Sequence, residues 1–154
     1  MKEWQERPLE EIYVVVFMDA IHYHVRNEGR IVKRAVYIAI GIDMGGHKDV
    51  LGMYVGQNES AKSWKDNWAN LSTYFKYPEA VWRLIYTTNA IEGFNRQLRR
   101  VTKSKTVFPS DDSLLKMLYL AMMDITKKWT GHRQDWGQIH SQLEIFFEER
   151  LSGL

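Results

Sequence analysis

Cysteine is absent from the 154-residue chain, which excludes disulfides, thiolate zinc sites and a cysteine nucleophile. Long apolar runs are absent too. The longest, Ile12 to Met18, is ended by Asp19 and is far too short to span a bilayer. No basic, apolar, small-residue leader precedes it. With three Pro and ten Gly there is no linker, repeat or low-complexity tract to divide the chain, so one domain is expected. Gly45-Gly46 is too short for a phosphate-cradling glycine loop. These absences predict a soluble, cytoplasmic chain with no membrane partner.

Aromatic residues are plentiful, 13% with six Trp, and predict an aromatic-rich core or interface. Apolar residues at 45% and charged residues at 26% argue against disorder. The net charge of +2, from 21 basic and 19 acidic residues, does not by itself announce a nucleic-acid partner. Its distribution says more. Arg96, Arg99, Arg100, Lys103 and Lys105 fall between Gly93 and Ser110 with no acid among them, whereas Glu3, Glu6, Glu10, Glu11, Glu144, Glu148 and Glu149 weight the two ends. One basic stripe on a near-neutral chain suits a polyanionic ligand.

The first half reads as β. Tyr13 to Val25 opens on a near-continuous β-branched and apolar run, the pattern of a strand buried on both faces. Asn27, Glu28 and Gly29 supply a turn, Val32 to Ile42 a second strand, and Gly45-Gly46 closes a hairpin onto Asp49 to Val55. The result is a three-stranded antiparallel meander. After Asn58 the periodicity becomes helical, predicting about five helices. Trp64, Trp68, Leu71 and Phe75 form one apolar face, at core spacing. A short helix runs from Pro78 towards Tyr86, and a third starts near Asn89 with Ile91, Phe94, Leu98 and Val101 inward. A fourth is capped by Ser110, with Asp111 and Asp112 in its first turn and Lys127 and Lys128 in its last. The last, Gln134 to Leu151, buries Trp136, Ile139, Leu143 and Phe147. The expected fold class is α+β, with a sheet over 12–56 and a helical part over 60–152.

Two acids stand out. Asp19 follows six apolar or aromatic residues, where an unpaired carboxylate is costly. It either emerges into solvent, pairs with an arginine, or serves as a metal ligand or general base. Glu92 has capping-box spacing from Asn89 and is an i,i+4 partner of Arg96, so a purely local role is open beside a chemical one. The helix it opens carries Arg96, Arg99, Arg100 and Lys103 on the face away from its apolar stripe, continued by Lys105. Such a line is either a solvated face or a track for a phosphate backbone. His22 and His24 share a strand face and could reach one metal, yet no third ligand is near. Asp43 and Asp49 flank the hairpin as turn residues.

Several longer strings carry a resemblance. Val16-Phe-Met-Asp19-Ala-Ile-His22, Ala35-Val-Tyr-Ile-Ala-Ile-Gly41, Thr87-Thr-Asn-Ala-Ile-Glu-Gly-Phe-Asn-Arg-Gln-Leu-Arg-Arg100 and Phe108-Pro-Ser-Asp-Asp-Ser-Leu-Leu-Lys-Met-Leu-Tyr-Leu120 are similar to bacterial insertion-sequence transposases of the Mutator-like family. The similarity runs from about Trp4 to Trp129. It implies a ribonuclease-H-like catalytic domain with an Asp, Asp, Glu triad and a divalent metal, Mg²⁺ or Mn²⁺. The family's first Asp matches Asp19 and its Glu matches Glu92, which makes both catalytic residues and metal ligands by resemblance. The implied reaction is in-line displacement at phosphorus on DNA, assisted by two metals about 3.5–4 Å apart. The implied partner is DNA, tracked by Arg96, Arg99, Arg100, Lys103 and Lys105; no small-molecule substrate is expected.

The chain departs from that pattern twice. Relatives carry a DNA-binding segment ahead of the catalytic domain, whereas Met1 here stands almost at the first strand; recognition of terminal sequences is therefore expected to be weak or absent. The family also has a long insertion between its matches to Asn58-Glu-Ser-Ala-Lys62 and Ser63-Trp-Lys-Asp-Asn67. That insertion holds a fourth strand, the second catalytic Asp and a Cys-x-x-His segment. Here the flanks join at about Lys62-Ser63, the absence of Cys agrees, and Asp66 matches a non-catalytic position. The expectation is a transposase-family chain, truncated to one domain, that binds metal weakly and is inactive alone. The alternative is a non-catalytic remnant that dimerises and binds DNA. A lost strand leaves a sheet edge open, which predicts a homodimer. Bound to DNA, the protein would sit on the bacterial nucleoid.

Overall fold

The computed structural model describes residues 1–10, 12–56, 89–132 and 134–151. The expected helices around Trp64–Phe75 and Pro78–Tyr86, the join at Lys62-Ser63 and Asp66 lie outside these residues. After a short helix α1 (Lys2–Gln5) come strands β1 (Tyr13–Asn27), β2 (Arg30–Asp43) and β3 (Lys48–Gly56). They form one antiparallel sheet in the order β1-β2-β3. Helices α2 (Asn89–Thr102), α3 (Asp111–Thr126), α4 (Trp136–Phe146) and α5 (Glu148–Leu151) follow. The class is α+β, as expected.

Local chemistry accounts for each turn. Asn27 pairs with Arg30, and the two residues between them, Glu28 and Gly29, both have positive φ, 50° and 76°. That is the backbone sense of a tight hairpin whose twist matches its strands. At the second turn the Asp43 carboxylate accepts from the amides of Gly45 at 2.8 Å and His47 at 2.9 Å, which confirms it as a turn residue. Gly46 has φ 81° and lies flat under the Trp136 ring, where a Cβ would come within 2.5 Å of the indole. The Trp136 indole N–H in turn donates to the Met44 carbonyl at 2.9 Å, so α4 is locked onto this hairpin.

β1 is buried on one face, not on both. Phe17, Ile21, Tyr23 and Val25 are buried, whereas Val16, Met18, His22 and His24 alternate outward. Among the described residues the helices pack on the first face only, opposite Ile38, Val36 and Ile40 of β2. In β3, Val50 and Met53 both face the core although they are three residues apart. The pairing shifts between Ala39 and Ile40, which face Gly52 and Val50, so Leu51 is the extra residue of a bulge that restores the apolar face. The core joins this face to Phe94 and Leu98 of α2, Leu114, Leu118 and Met122 of α3, and Ile139 and Leu143 of α4. Each such side chain contributes about 1.5–3 kcal/mol by burial.

Helix α3 is capped as expected, Ser110 Oγ accepting from the Ser113 amide at 3.1 Å. It ends at Thr126, with Lys127 as its C-cap, so the two lysines stand just past the last turn. The expected helix over 134–151 is interrupted at Phe147. Phe108, in the link between α2 and α3, lies beside β1 as a parallel bridge to Val25. It exchanges backbone hydrogen bonds with His24 and Arg26, at 2.9 and 2.7 Å.

Candidate metal and nucleic-acid site

Asp19 projects from the helix-facing side of β1, opposite Ile38 of β2, yet it is exposed. Both carboxylate oxygens are held. Oδ1 accepts from the Ala20 amide at 2.8 Å, and Oδ2 accepts from the Asn95 side-chain amide of α2 at 2.6 Å. Emergence into solvent therefore holds, and the partner is a neutral amide instead of an arginine. Each oxygen keeps a lone pair beyond the bond it has made.

Composition and charge do not single out Asn95. A signal existed: it falls four residues after Ile91, inside the stripe formed by Ile91, Phe94 and Leu98, and is as buried as they are, 3% exposed. A buried amide on an apolar helix stripe calls for a partner, and that partner is Asp19.

Glu92 lies one turn before Asn95 in the first turn of α2 and is exposed. Residues three apart on a helix have Cβ atoms about 5–6 Å from each other, so Glu92 stands on the helix turn adjoining the one that grips Asp19. The side chain of Asn89, needed for the capping box, lies outside the described residues. At about 100° per residue, Glu92, Arg96, Arg99, Arg100 and Lys103 fall within an arc of about 100°. All five are exposed, as is Lys105. Ion pairs elsewhere tie Arg7 to Asp49, Arg34 to Asp111, Lys116 to Asp112 and Lys127 to Asp124. Lys105 sits over the Phe108 ring at 5.7 Å. Val101, expected on the inward face, is 45% exposed because it lies over a groove between α2 and α3 lined by Met117, Leu120 and Ile125.

The arrangement limits the chemistry. Mg²⁺ is commonly held by one or two carboxylates, with water and phosphate oxygens completing its octahedron. Asp19 and Glu92 are carboxylates, the donor type that such an ion takes. Among the described residues no group of three or more His, Cys, Asp or Glu gathers to hold an ion. His22 and His24 lie exposed on the outer face of the sheet, opposite to the face from which Asp19 projects. Asp49 is more than a turn residue. It binds Arg7 through both oxygens at 2.9 and 3.0 Å and accepts from the Tyr13 hydroxyl at 2.9 Å. Arg34, buried and likewise not singled out by composition or charge, bonds Asp111 at 3.0 Å and clamps β2 to the start of α3.

Two segments, residues 1–66 and 62–132, match the family model described as transposase, Mutator family. The chain belongs to the Mutator family of transposases. Among its relatives, the transposase for insertion sequence element ISRM3 of Rhizobium meliloti (strain 1021) is 25% identical over 250 residues, covering 97% of this chain and 62% of the relative. A probable insertion-sequence transposase of Corynebacterium diphtheriae is 22% identical over 231 residues, covering 84% and 67%. The transposase for insertion sequence element IS406 of Burkholderia multivorans (strain ATCC 17616 / 249) is 45% identical over 65 residues, or 42% of this chain and 16% of that one. The chain thus spans less than two thirds of the Rhizobium transposase. That alignment covers 250 residues against the 154 of the whole chain, so a long stretch of the relative faces a gap. The two Mutator-family segments overlap at residues 62–66. No helix among the described residues is long and apolar enough to cross a membrane.

Proposed function

We propose that this Mutator-family chain is a shortened catalytic domain of DNA transposition, which binds DNA and Mg²⁺ but does not transfer strands alone. The observation that carries the reading is the Asn95–Asp19 bond of 2.6 Å. It ties the strand acid to the helix that carries Glu92 in its first turn and continues as a basic face. Arg96, Arg99, Arg100, Lys103 and Lys105 attract the phosphate backbone without regard to sequence. Asp19 and Glu92 are the residues that would hold a hydrated Mg²⁺ at the head of that face. A bound Mg²⁺ supplies charge neutralisation at phosphorus and activation of an attacking oxygen.

Two carboxylates carry too little negative charge to hold an ion pair about 3.5–4 Å apart. The missing ligand is the second Asp, which the gap near residues 62–66 takes away with its strand. On this reading the meander is the start of a ribonuclease-H-like sheet in a single domain. Among the described residues the outer edge of β1 is bridged at Val25 and no described strand pairs it from Val16 to Ile21; this supports pairing with a second copy, since unpaired edges template association. Binding to DNA places the protein on the nucleoid.

The test is nicking of supercoiled plasmid with Mg²⁺ or Mn²⁺, comparing the chain with Asp19→Ala and Glu92→Ala. All three are expected to leave the plasmid equally intact. Nicking that either substitution abolishes would show a working catalytic centre and overturn the inactive reading.

A further inference from the structure

Asn95 makes a costly choice of residue intelligible. Its side chain is 3% exposed, between Phe94 and Leu98, and its Oδ1 finds no hydrogen-bond partner among the described residues. A buried unsatisfied carbonyl is destabilising, so an apolar residue here would serve the core better. What the amide provides is a donor without charge. A lysine or arginine at this place would also bond Asp19, but its positive charge would neutralise the carboxylate and repel a cation. A neutral N–H fixes Oδ2 and leaves the full negative charge of Asp19 available. With the Ala20 amide on Oδ1, one fixed donor stands on each oxygen, so the carboxylate plane is set from two sides. Because Asn95 belongs to the helix that carries Glu92 in its first turn, the same bond ties Asp19 to the element that bears the second acid.

We propose that Asn95 is the positioning residue of this site, orienting the Asp19 carboxylate and tying it to Glu92 for a hard, octahedral cation. The inference rests on the metal reading given above. Partners that orient metal ligands typically change metal affinity about 10–100-fold when removed. The effect also discriminates between ions. Mg²⁺ and ions of similar size demand near-ideal octahedral geometry, whereas Ca²⁺ accepts irregular ligation.

The experiment titrates the full chain with Mn²⁺ alone, read by electron paramagnetic resonance of the free ion, and separately with Ca²⁺ by calorimetry. Asn95→Leu, Asn95→Ala and Asp19→Ala are compared, with thermal unfolding of each. Asn95→Leu removes the donor and the orphaned carbonyl together and keeps the branched shape of the side chain. It is expected to melt no lower than the parent chain while binding Mn²⁺ about 10-fold or more weakly, with a smaller loss for Ca²⁺. Asn95→Ala repeats the ion-selective loss if the leucine packs badly. Equal losses of both ions in step with a lower melting point would make Asn95 merely structural and overturn the proposal. So would Mn²⁺ affinity within twofold of the parent in both Asn95 variants while Asp19→Ala abolishes it. If the parent and Asp19→Ala bind Mn²⁺ alike, the metal reading itself falls and takes this inference with it.

Discussion

Removing one cation at a time from α2 should flatten the salt dependence of DNA binding in equal steps. Arg96, Arg99, Arg100 and Lys103 project into one arc over about 10 Å of helix, at 1.5 Å per residue, and Lys105 extends the line. Each phosphate neutralised releases counterions, giving a slope of log K against log salt of about −0.9 per contact on duplex DNA. Five contacts predict a slope near −4.5, so affinity falls about 500-fold between 50 and 200 mM salt. Arg100→Ala should bring the slope to about −3.6, and Arg100→Ala with Lys103→Ala to about −2.7. The whole molecule carries only +2, so the effect is local to α2. Lys116→Ala, on α3 and paired with Asp112 at 2.7 Å, should leave the slope unchanged. Fluorescence anisotropy with a duplex of arbitrary sequence at three salt concentrations measures it. A parent slope shallower than about −2, or a Lys116→Ala effect as large as that of Arg100→Ala, would refute the assignment of this face to phosphate.

Two further predictions concern the scaffold that holds the site. Gly46→Ala places a Cβ into the Trp136 indole at positive φ; the left-handed backbone, the overpacking and the weakened bond to Met44 together cost about 2–4 kcal/mol. Thermal unfolding should therefore drop by about 5–15 °C, and an unchanged midpoint would mean that α4 is not seated on the hairpin. Burial pushes the Tyr23 hydroxyl above its ordinary pKa of 10.0, so the folded chain keeps this proton after the unfolded chain has lost it. Its contribution is intact below that pH and is lost as pH rises through the folded value. Tyr13 is raised mainly by the same cause, while Lys48 is lowered by burial and acts in the opposite sense. Stability measured by urea unfolding should fall above about pH 10, and Tyr23→Phe should make that fall shallower; a steeper fall in the variant would contradict the sign.

The strands and turns were legible because their signals are local. Alternation in Ile21, Tyr23 and Val25, the Glu28-Gly29 turn and the Ser110 cap each act within a few residues. The inner face of β1 was not legible as such, since Val14, Val15 and Val16 continue the apolar pattern onto the outer face, and only packing decides which side is covered. Asp19 and Glu92 were visible, one as a carboxylate after an apolar run and the other as the acid heading a basic helix. Their link was not, because Asn95 meets Asp19 across 76 positions of sequence. The same holds for Arg34 with Asp111, and for Arg7 with Asp49: each is an ordinary surface residue by composition and becomes structural only when distant elements meet. The bulge at Leu51 belongs to the same class, a shift of register that only the pairing with β2 reveals.

The measurement that bears most directly on the central claim is a crystal structure of the chain with Mn²⁺. The account predicts one ion bonded by both Asp19 and Glu92 at distances close to the Mg²⁺ values of about 2.0–2.1 Å, with Asn95 still on Asp19 Oδ2 and water filling the other positions. An ion held elsewhere, or the two carboxylates too far apart to share one, would contradict it.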